Sequence, residues 1–137
     1  MSRLTHRTRE ERGQSLVEFA LVVPLLLTVM FAIFEVGIVF KNWLTVTHAA
    51  RDGARAAAVA RMTGDCASRG ASVARSSATG AGLVSASLNI TAAPVSGCPD
   101  QGRDVSVTVR YPYSVEILGA VSVLTGDLSA TSTMRTE

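Results

Sequence analysis

Residues 13–40 read GQSLVEFALVVPLLLTVMFAIFEVGIVF, and this stretch decides the architecture of the 137-residue chain. From Leu16 to Phe40 it contains no Lys or Arg. As a helix these residues would span about 37 Å, which exceeds the roughly 30 Å of a hydrocarbon core. A cleavable secretory signal would have an apolar region of only roughly 7–15 residues. The stretch therefore predicts a membrane-spanning segment over about residues 16–40, inside a long N-terminal helix over residues 14–62.

The net charge of the chain is concentrated ahead of this helix. The chain has 13 basic and 11 acidic residues, a formal excess of +2. Residues 1–13 hold four arginines against two glutamates, so they carry the whole excess. This segment is polar and has no hydrophobic period, so it is predicted to be disordered. Because basic residues remain on the cytoplasmic side of a membrane, residues 1–13 are predicted to be a cytoplasmic leader. A nucleic-acid-binding protein would carry its basic patch on the folded part, so no nucleic-acid partner is expected.

The helix is predicted to continue beyond the membrane. Small and apolar residues between Val46 and Ala60 recur mostly three or four positions apart, which indicates one narrow helical face. A face of small side chains lets two backbones approach closely. Two interpretations remain open. The face packs either on the chain's own folded tail or on neighbouring subunits.

Residues 63–137 are predicted to form a small extracytoplasmic α+β domain. Asp65 is a candidate N-cap for a short helix over about residues 66–78, ended by the glycines that follow. The alanines expected on its buried face are Ala67, Ala71, Ala74 and Ala78. Alternating apolar and polar residues predict strands over 84–92 and 105–111, with a weaker third over 128–135. We expect an antiparallel sheet, with residues 112–126 as a loop packed on the domain.

Cys66 and Cys98 are the only cysteines, and both lie in the part predicted to be outside the membrane. An even count in an oxidising compartment favours a disulfide over free thiols. A metal site is not expected, because neither cysteine has a nearby Cys or His. The two histidines, His6 and His48, are not placed to activate a nucleophile in the tail. No catalytic residue and no cofactor are therefore predicted, and the chain is not expected to be an enzyme.

Two carboxylates interrupt the apolar run. Glu35 lies near its outer end, where it can reach the interface or face another helix. Glu18 lies near the entrance, and an unpaired acid deep in a bilayer costs about 2.5–3.5 kcal/mol. Glu18 therefore either sits at the headgroup level or pairs with a cation. A cut after Gly13 would supply one, because the new α-amine of Gln14 could pair with Glu18 of the same or an adjacent copy.

This arrangement, Arg12-Gly13 followed by four residues and then Glu18-Phe19, resembles the class III prepilin signal. The wider sequence is similar to the TadE-like pseudopilins, or minor pilins, of tight-adherence (Tad/Flp, type IVb-like) pilus systems. Four segments carry the resemblance: residues 13–27, Phe34-Glu35-Val36-Gly37, Ala49-Ala50-Arg51-Asp52-Gly53-Ala54-Arg55, and the C-terminal SATSTMRTE. The first three cover about residues 12–60, and the C-terminal half matches only as a loose pattern.

The resemblance implies a pilin-like fold and a structural function. It implies cleavage between Gly13 and Gln14 by a prepilin peptidase, with Phe19 as recognition context and Glu18 as the assembly glutamate. The implied partners are the membrane, other pilin or pseudopilin subunits and the pilus assembly platform. The implied product is a Tad-type pilus, or its priming complex, that supports adherence. Gln14 is a polar first residue where many type IV pilins have Phe or Met.

The resemblance also implies a location. The chain would cross the bacterial cytoplasmic membrane once, with its N-terminus in the cytoplasm and its C-terminal domain outside, in the membrane or in a surface pilus. The alternative is an uncleaved bitopic membrane protein whose outer domain is a binding module.

Overall fold

The computed structural model describes residues 4–60, 64–94, 98–117 and 121–136. The elements are α1 (Leu4–Val59), α2 (Cys66–Gly80), a 3-10 turn (Ser85–Ser87), β1 (Asn89–Ala93), β2 (Asp104–Ile117) and β3 (Val121–Arg135). The strands form one antiparallel sheet in the order β1-β2-β3. The predicted α+β class is therefore confirmed. The chain divides into two compact units, Met1–Val36 and Gly37–Glu137.

The helix α1 begins earlier than predicted. Residues 4–13, expected to be disordered, have helical backbone. The apolar stretch supplies the helical nucleus, and adding turns to an existing helix needs no new nucleation. The Arg, Glu and Gln residues of this segment also favour helix. At the other end α1 stops at Val59, short of the predicted residue 62, and residues 61–63 lie outside the described residues.

The helix α2 confirms the predicted cap and corrects the predicted buried face. The Asp65 side chain accepts a hydrogen bond from the Ser68 N–H at 3.2 Å, as an N-cap does. The buried residues are Cys66, Gly70, Ala74 and Ala78, four positions apart. The predicted Ala67 and Ala71 are only half-buried. The buried residues recur every four positions and include Gly70 and Cys66. The prediction considered only alanines and therefore missed this face.

The small-residue face of α1 packs on the chain's own domain, which confirms the first of the two interpretations for these residues. Its buried members are Val46, Ala49, Ala50, Gly53, Ala54, Ala57, Ala58 and Ala60. Gly53 and Gly70 mark where α1 and α2 approach most closely. A Cβ on Gly53 would lie 2.8 Å from the Ala74 Cβ and 2.8 Å from the Gly70 carbonyl oxygen. Val107 of β2 covers the same point, so both helices and the sheet meet there.

We expect Gly53→Ala to destabilise the domain by about 1–3 kcal/mol through overpacking, although alanine is the better helix former by roughly 1 kcal/mol. The added methyl group would meet a backbone oxygen, which cannot rotate away. The measurement is urea unfolding of the full chain in detergent. Gly80→Ala is the matched control, because nothing lies within 4 Å of a Cβ at Gly80. Equal unfolding midpoints for the two variants would contradict the close crossing.

The first strand is shorter than predicted. Residues 85–87 form the 3-10 turn, and β1 begins only at Asn89. The Arg75 guanidinium donates to the Ser85 carbonyl oxygen at 2.9 Å, which ties this segment to α2 instead of to the sheet. The alternation of residues 84–92 was therefore only partly a strand signal.

The predicted loop over residues 112–126 is wrong, because most of it belongs to a long hairpin of β2 and β3. Pro112 pairs with Asp127, and the register continues to Ile117 opposite Val121. The pairing of β1 with β2 stops at Arg110, and beyond that point no other described strand pairs with this edge of β2. A proline, which lacks an N–H, is tolerated on such an edge. The predicted third strand is present, and it begins at Val121 instead of Leu128.

Candidate functional site

The apolar part of α1 presents large side chains on its whole circumference. Gln14–Val59 is long and apolar enough to cross a membrane by length and composition, and none of its most apolar window is buried. Leu21, for example, is 74% exposed, and Leu16 and Phe19 are similarly exposed. Leaving so many large apolar side chains in water is unfavourable. This segment therefore requires lipid or other apolar helices around it.

The polar residues of the apolar run are accommodated within the helix. Pro24 lies inside α1, where it lacks the N–H that would otherwise donate to the preceding turn. The Thr28 hydroxyl donates to the Pro24 carbonyl oxygen at 2.8 Å. Inside a bilayer every backbone polar group needs an internal partner. The Thr28 hydroxyl therefore has a hydrogen-bond acceptor within α1 itself.

The residues of the predicted processing site all lie on α1. Gln14, Glu18 and Phe19 are exposed, whereas the surroundings of Gly13 lie outside what the structure describes. Gln14 and Glu18 are four residues apart on one helix, so they are neighbours on the same face. Glu35 is half-buried at the other end of the apolar run. The structure thus places the backbone of Gln14 one turn from Glu18, as the predicted pairing needs.

Aromatic residues mark the end of the apolar run. The rings of Phe40 and Trp43 have centroids 5.9 Å apart, and both side chains are substantially exposed. Lys41 lies between them and is also exposed. Tryptophan is enriched at membrane–water interfaces, where lysine can extend its ammonium group to water. We call Phe40, Lys41 and Trp43 the boundary residues.

The predicted disulfide is confirmed. Cys66 and Cys98 are joined with an S–S distance of 1.99 Å and a Cα–Cα distance of 5.1 Å. The Cys66 N–H donates to the Cys98 Sγ at 2.9 Å, and that sulfur lies 3.9 Å from the Ala60 carbonyl oxygen. The bond therefore holds together the start of α2, the end of α1 and the loop before β2.

The C-terminal residues hold the same loop, a contact that the sequence pattern did not predict. Thr136 is 3% exposed, and its hydroxyl donates to the carbonyl oxygen of Asp100 at 2.8 Å. Its backbone N–H donates to the Arg103 carbonyl oxygen at 2.9 Å. The Arg135 guanidinium adds a bond to the Gly102 carbonyl oxygen at 2.6 Å. Such a closure depends on distant backbone groups, so no local sequence signal could have revealed it.

The Ser68 hydroxyl and then the Ser68 N–H lower the pKa of Asp65, which is a helix-capping effect. Among the described residues, no group of three His, Cys, Asp or Glu side chains could hold a metal ion. His48 is exposed on α1.

These features fit a single-pass membrane protein with a small disulfide-bonded α+β domain. The family model described as TadE-like protein matches residues 13–55, which confirms the resemblance over that part of the chain. The match begins at Gly13 and covers Glu18, Glu35 and the first half of the buried small-residue face. No curated protein and no solved structure matches the chain significantly. The family match over residues 13–55 and the apolar helix together indicate a membrane protein associated with a Tad pilus system.

Proposed function

We propose that the chain is a structural minor pilin, or pseudopilin, that is cut after Gly13 and assembled through its apolar helix. On this proposal residues 1–13 are a cytoplasmic leader, residues 14–62 the assembly helix, and residues 63–137 the extracytoplasmic domain. A prepilin peptidase removes the leader. The remaining chain then joins other pilin or pseudopilin subunits, through the assembly platform, in a Tad-type pilus or its priming complex that supports adherence.

The observation that carries the proposal is an acid placed one helical turn from Gln14, at the start of an apolar helix whose other acid, Glu35, lies near the opposite end. Gln14 and Glu18 are exposed on one face of α1, and no Lys or Arg occurs from Leu16 to Phe40. A membrane anchor alone has no use for this carboxylate. Cleavage would create an α-amine beside it, which could pair with Glu18 of the same or a neighbouring copy. Pairing in the apolar environment removes most of the cost of both charges and fixes the axial register of packed helices.

The helical backbone around the cut adds a requirement to the proposal. In the uncut chain the bond between Gly13 and Gln14 lies within α1. A peptidase that needs an extended substrate must open the helix there. Glycine lowers this cost, because it is less favourable in a helix than alanine by roughly 0.8–1.0 kcal/mol. Gly13 would then serve both recognition by the peptidase and local opening of the helix at the cut.

The N-terminus of the protein in cells tests the proposal. We expect intact-mass and N-terminal peptide analysis of the membrane-extracted protein to find Gln14 as the first residue, in cells that contain the peptidase. In cells that lack the peptidase, the leader should remain. A leader retained in peptidase-competent cells would instead support an uncleaved bitopic protein whose outer domain is a binding module.

A further inference from the structure

The distal part of the β2–β3 hairpin, residues 111–117 and 121–128, extends beyond the rest of the sheet. We call it the hairpin extension. The pairing of β1 with β2 ends at Arg110, whereas β2 and β3 remain paired as far as Ile117 and Val121. Burial falls along the extension: Val109 is fully buried, Val115 is half-buried, and its cross-strand partner Leu124 is 56% exposed. Leu124 is thus accessible where the hairpin leaves the core.

The sequence of the extension is suited to an apolar surrounding. Residues 117–126 contain no charged residue, and no Lys, Arg or His occurs between Arg110 and Arg135. The register has an irregularity at Val115/Glu116. Because of it Glu116 pairs with Ser122 and Ile117 with Val121. An uninterrupted register would have set Glu116 opposite Val123.

The hairpin runs toward the membrane end of α1. Cys98, just before β2, lies 3.9 Å from the carbonyl oxygen of Ala60 at the far end of the helix. Further along β2, Val107 lies against Gly53 of α1. Rising residue number in β2 therefore corresponds to falling residue number in α1. The direction beyond Val107 is toward Lys41 and the other boundary residues.

The hairpin is long enough to reach the level of that boundary. The 12 residues from Gly53 back to Lys41 cover about 18 Å of helix at roughly 1.5 Å each. The 10 residues from Val107 to Ile117 cover about 33 Å of strand at roughly 3.3 Å each. At an inclination to the helix axis of about 40°, the strand would advance about 25 Å, and its end would pass the level of Lys41.

We propose that the hairpin extension is a second membrane contact, which lies in the interfacial layer of the leaflet facing the domain. The occupant of its apolar surface is lipid, because the hairpin runs along α1 toward Phe40 and Trp43 at the end of the apolar run. The depth is limited by the open edge of β2 beyond Arg110, whose N–H and C=O groups need water. Pro112 removes one donor from that edge. The contact requires only the membrane-spanning helix, so it holds whether or not the chain is cut after Gly13.

Tryptophan fluorescence of the full chain in vesicles tests the contact. In a Trp43→Phe background, which removes the single native Trp, Leu124→Trp places the probe on the extension. We expect blue-shifted emission and several-fold quenching in phosphatidylcholine vesicles with bromine near the top of the acyl chains, at an insertion depth of about 5–10 Å. Thr133→Trp is the matched control: it is exposed on the same strand, opposite Ser106, and its emission should remain that of water without quenching.

Formation of the Cys66–Cys98 disulfide reports correct folding of each variant, and Val115→Trp replaces Leu124→Trp if the latter fails to fold. Quenching should not change with salt, since the extension has no basic residue to attract headgroups. Equal, weak quenching of the probes at the extension and at Thr133 would overturn the proposal. So would a blue shift without quenching that grows with the protein-to-lipid ratio, because it would assign the surface to a second copy of the chain.

Discussion

Glu18→Ala is expected to leave cleavage after Gly13 largely intact and to reduce incorporation into the pilus or priming complex by about 100-fold. Cleavage depends on the glycine and the bond that follows it, and neither is changed. Assembly, in contrast, would bring the new α-amine of Gln14 into an apolar environment without its partner. An unpaired charge in this environment costs about 2.5–3.5 kcal/mol, and about 1.4 kcal/mol corresponds to a tenfold change in an equilibrium constant. The amount of incorporated subunit should therefore fall by roughly two orders of magnitude. The measurement is the ratio of processed subunit in the sheared pilus and membrane fractions.

Glu18→Gln separates the charge from the shape of the side chain. The amide keeps the size and hydrogen-bonding ability of glutamate but cannot neutralise an ammonium group. If charge pairing sets the register, the glutamine variant should assemble as poorly as the alanine variant. Glu35→Gln is the second control, since Glu35 lies at the other end of the apolar run and is not near Gln14 along the helix. Normal incorporation of the Glu18→Ala subunit would show that Glu18 does not set the axial register of the packed helices.

The parts of the fold that could be predicted were those with a strong one-dimensional signal. The membrane-spanning helix follows from an apolar run without Lys or Arg over a length that matches a bilayer. The N-cap at Asp65 and the disulfide follow from local chemistry and from the count of cysteines. The small-residue face of α1 was recognised from its spacing, but the sequence could not choose its partner. That choice depended on Val107 and Gly70, which are distant in sequence from Gly53.

The hairpin extension could not be predicted because its signals conflict. Pro112 normally argues against a strand, and only the early end of β1 pairing makes it acceptable on an open edge. The irregularity at Val115/Glu116 shifts the register, so the apolar residues of β3 no longer alternate regularly. Val121, Val123 and Leu124 then look aperiodic in sequence. An irregular register interrupts the alternation of apolar and polar residues, so a strand that contains one is not recognised from a period of two.

The candidate processing site was found from sequence, and the structure adds its helical context. The spacing from Gly13 to Glu18 carried the resemblance. In the structure this spacing places Gln14 and Glu18 one turn apart on the same face of α1. On the proposed membrane contact, the hairpin extension would hold the boundary residues at a fixed depth.

Removal of the disulfide is expected to cost the domain about 3–4 kcal/mol, because it closes a loop with a sequence separation of 32 residues. The domain has little else of comparable strength, since its largest fully buried side chains are valines and Cys66 itself. A total stability of about 5–15 kcal/mol is usual for a domain, so this loss is a large share. The Cys66→Ala/Cys98→Ala double variant avoids a free thiol and leaves the helices and strands otherwise unchanged.

Hydrogen exchange in β2 measures this loss without interference from the membrane helix, which stays folded in detergent. The amides of Val105, Val107 and Val109 lie in the central strand, so they exchange through opening of the whole domain. We expect their exchange in the double variant to be about 100- to 1,000-fold faster, at 1.4 kcal/mol per tenfold. Reductant should accelerate exchange in the native protein to the same extent and have no effect on the variant. Unchanged protection of these amides in the double variant would mean that the packing at Gly53 and Gly70 and the Thr136 bonds hold the domain without the disulfide.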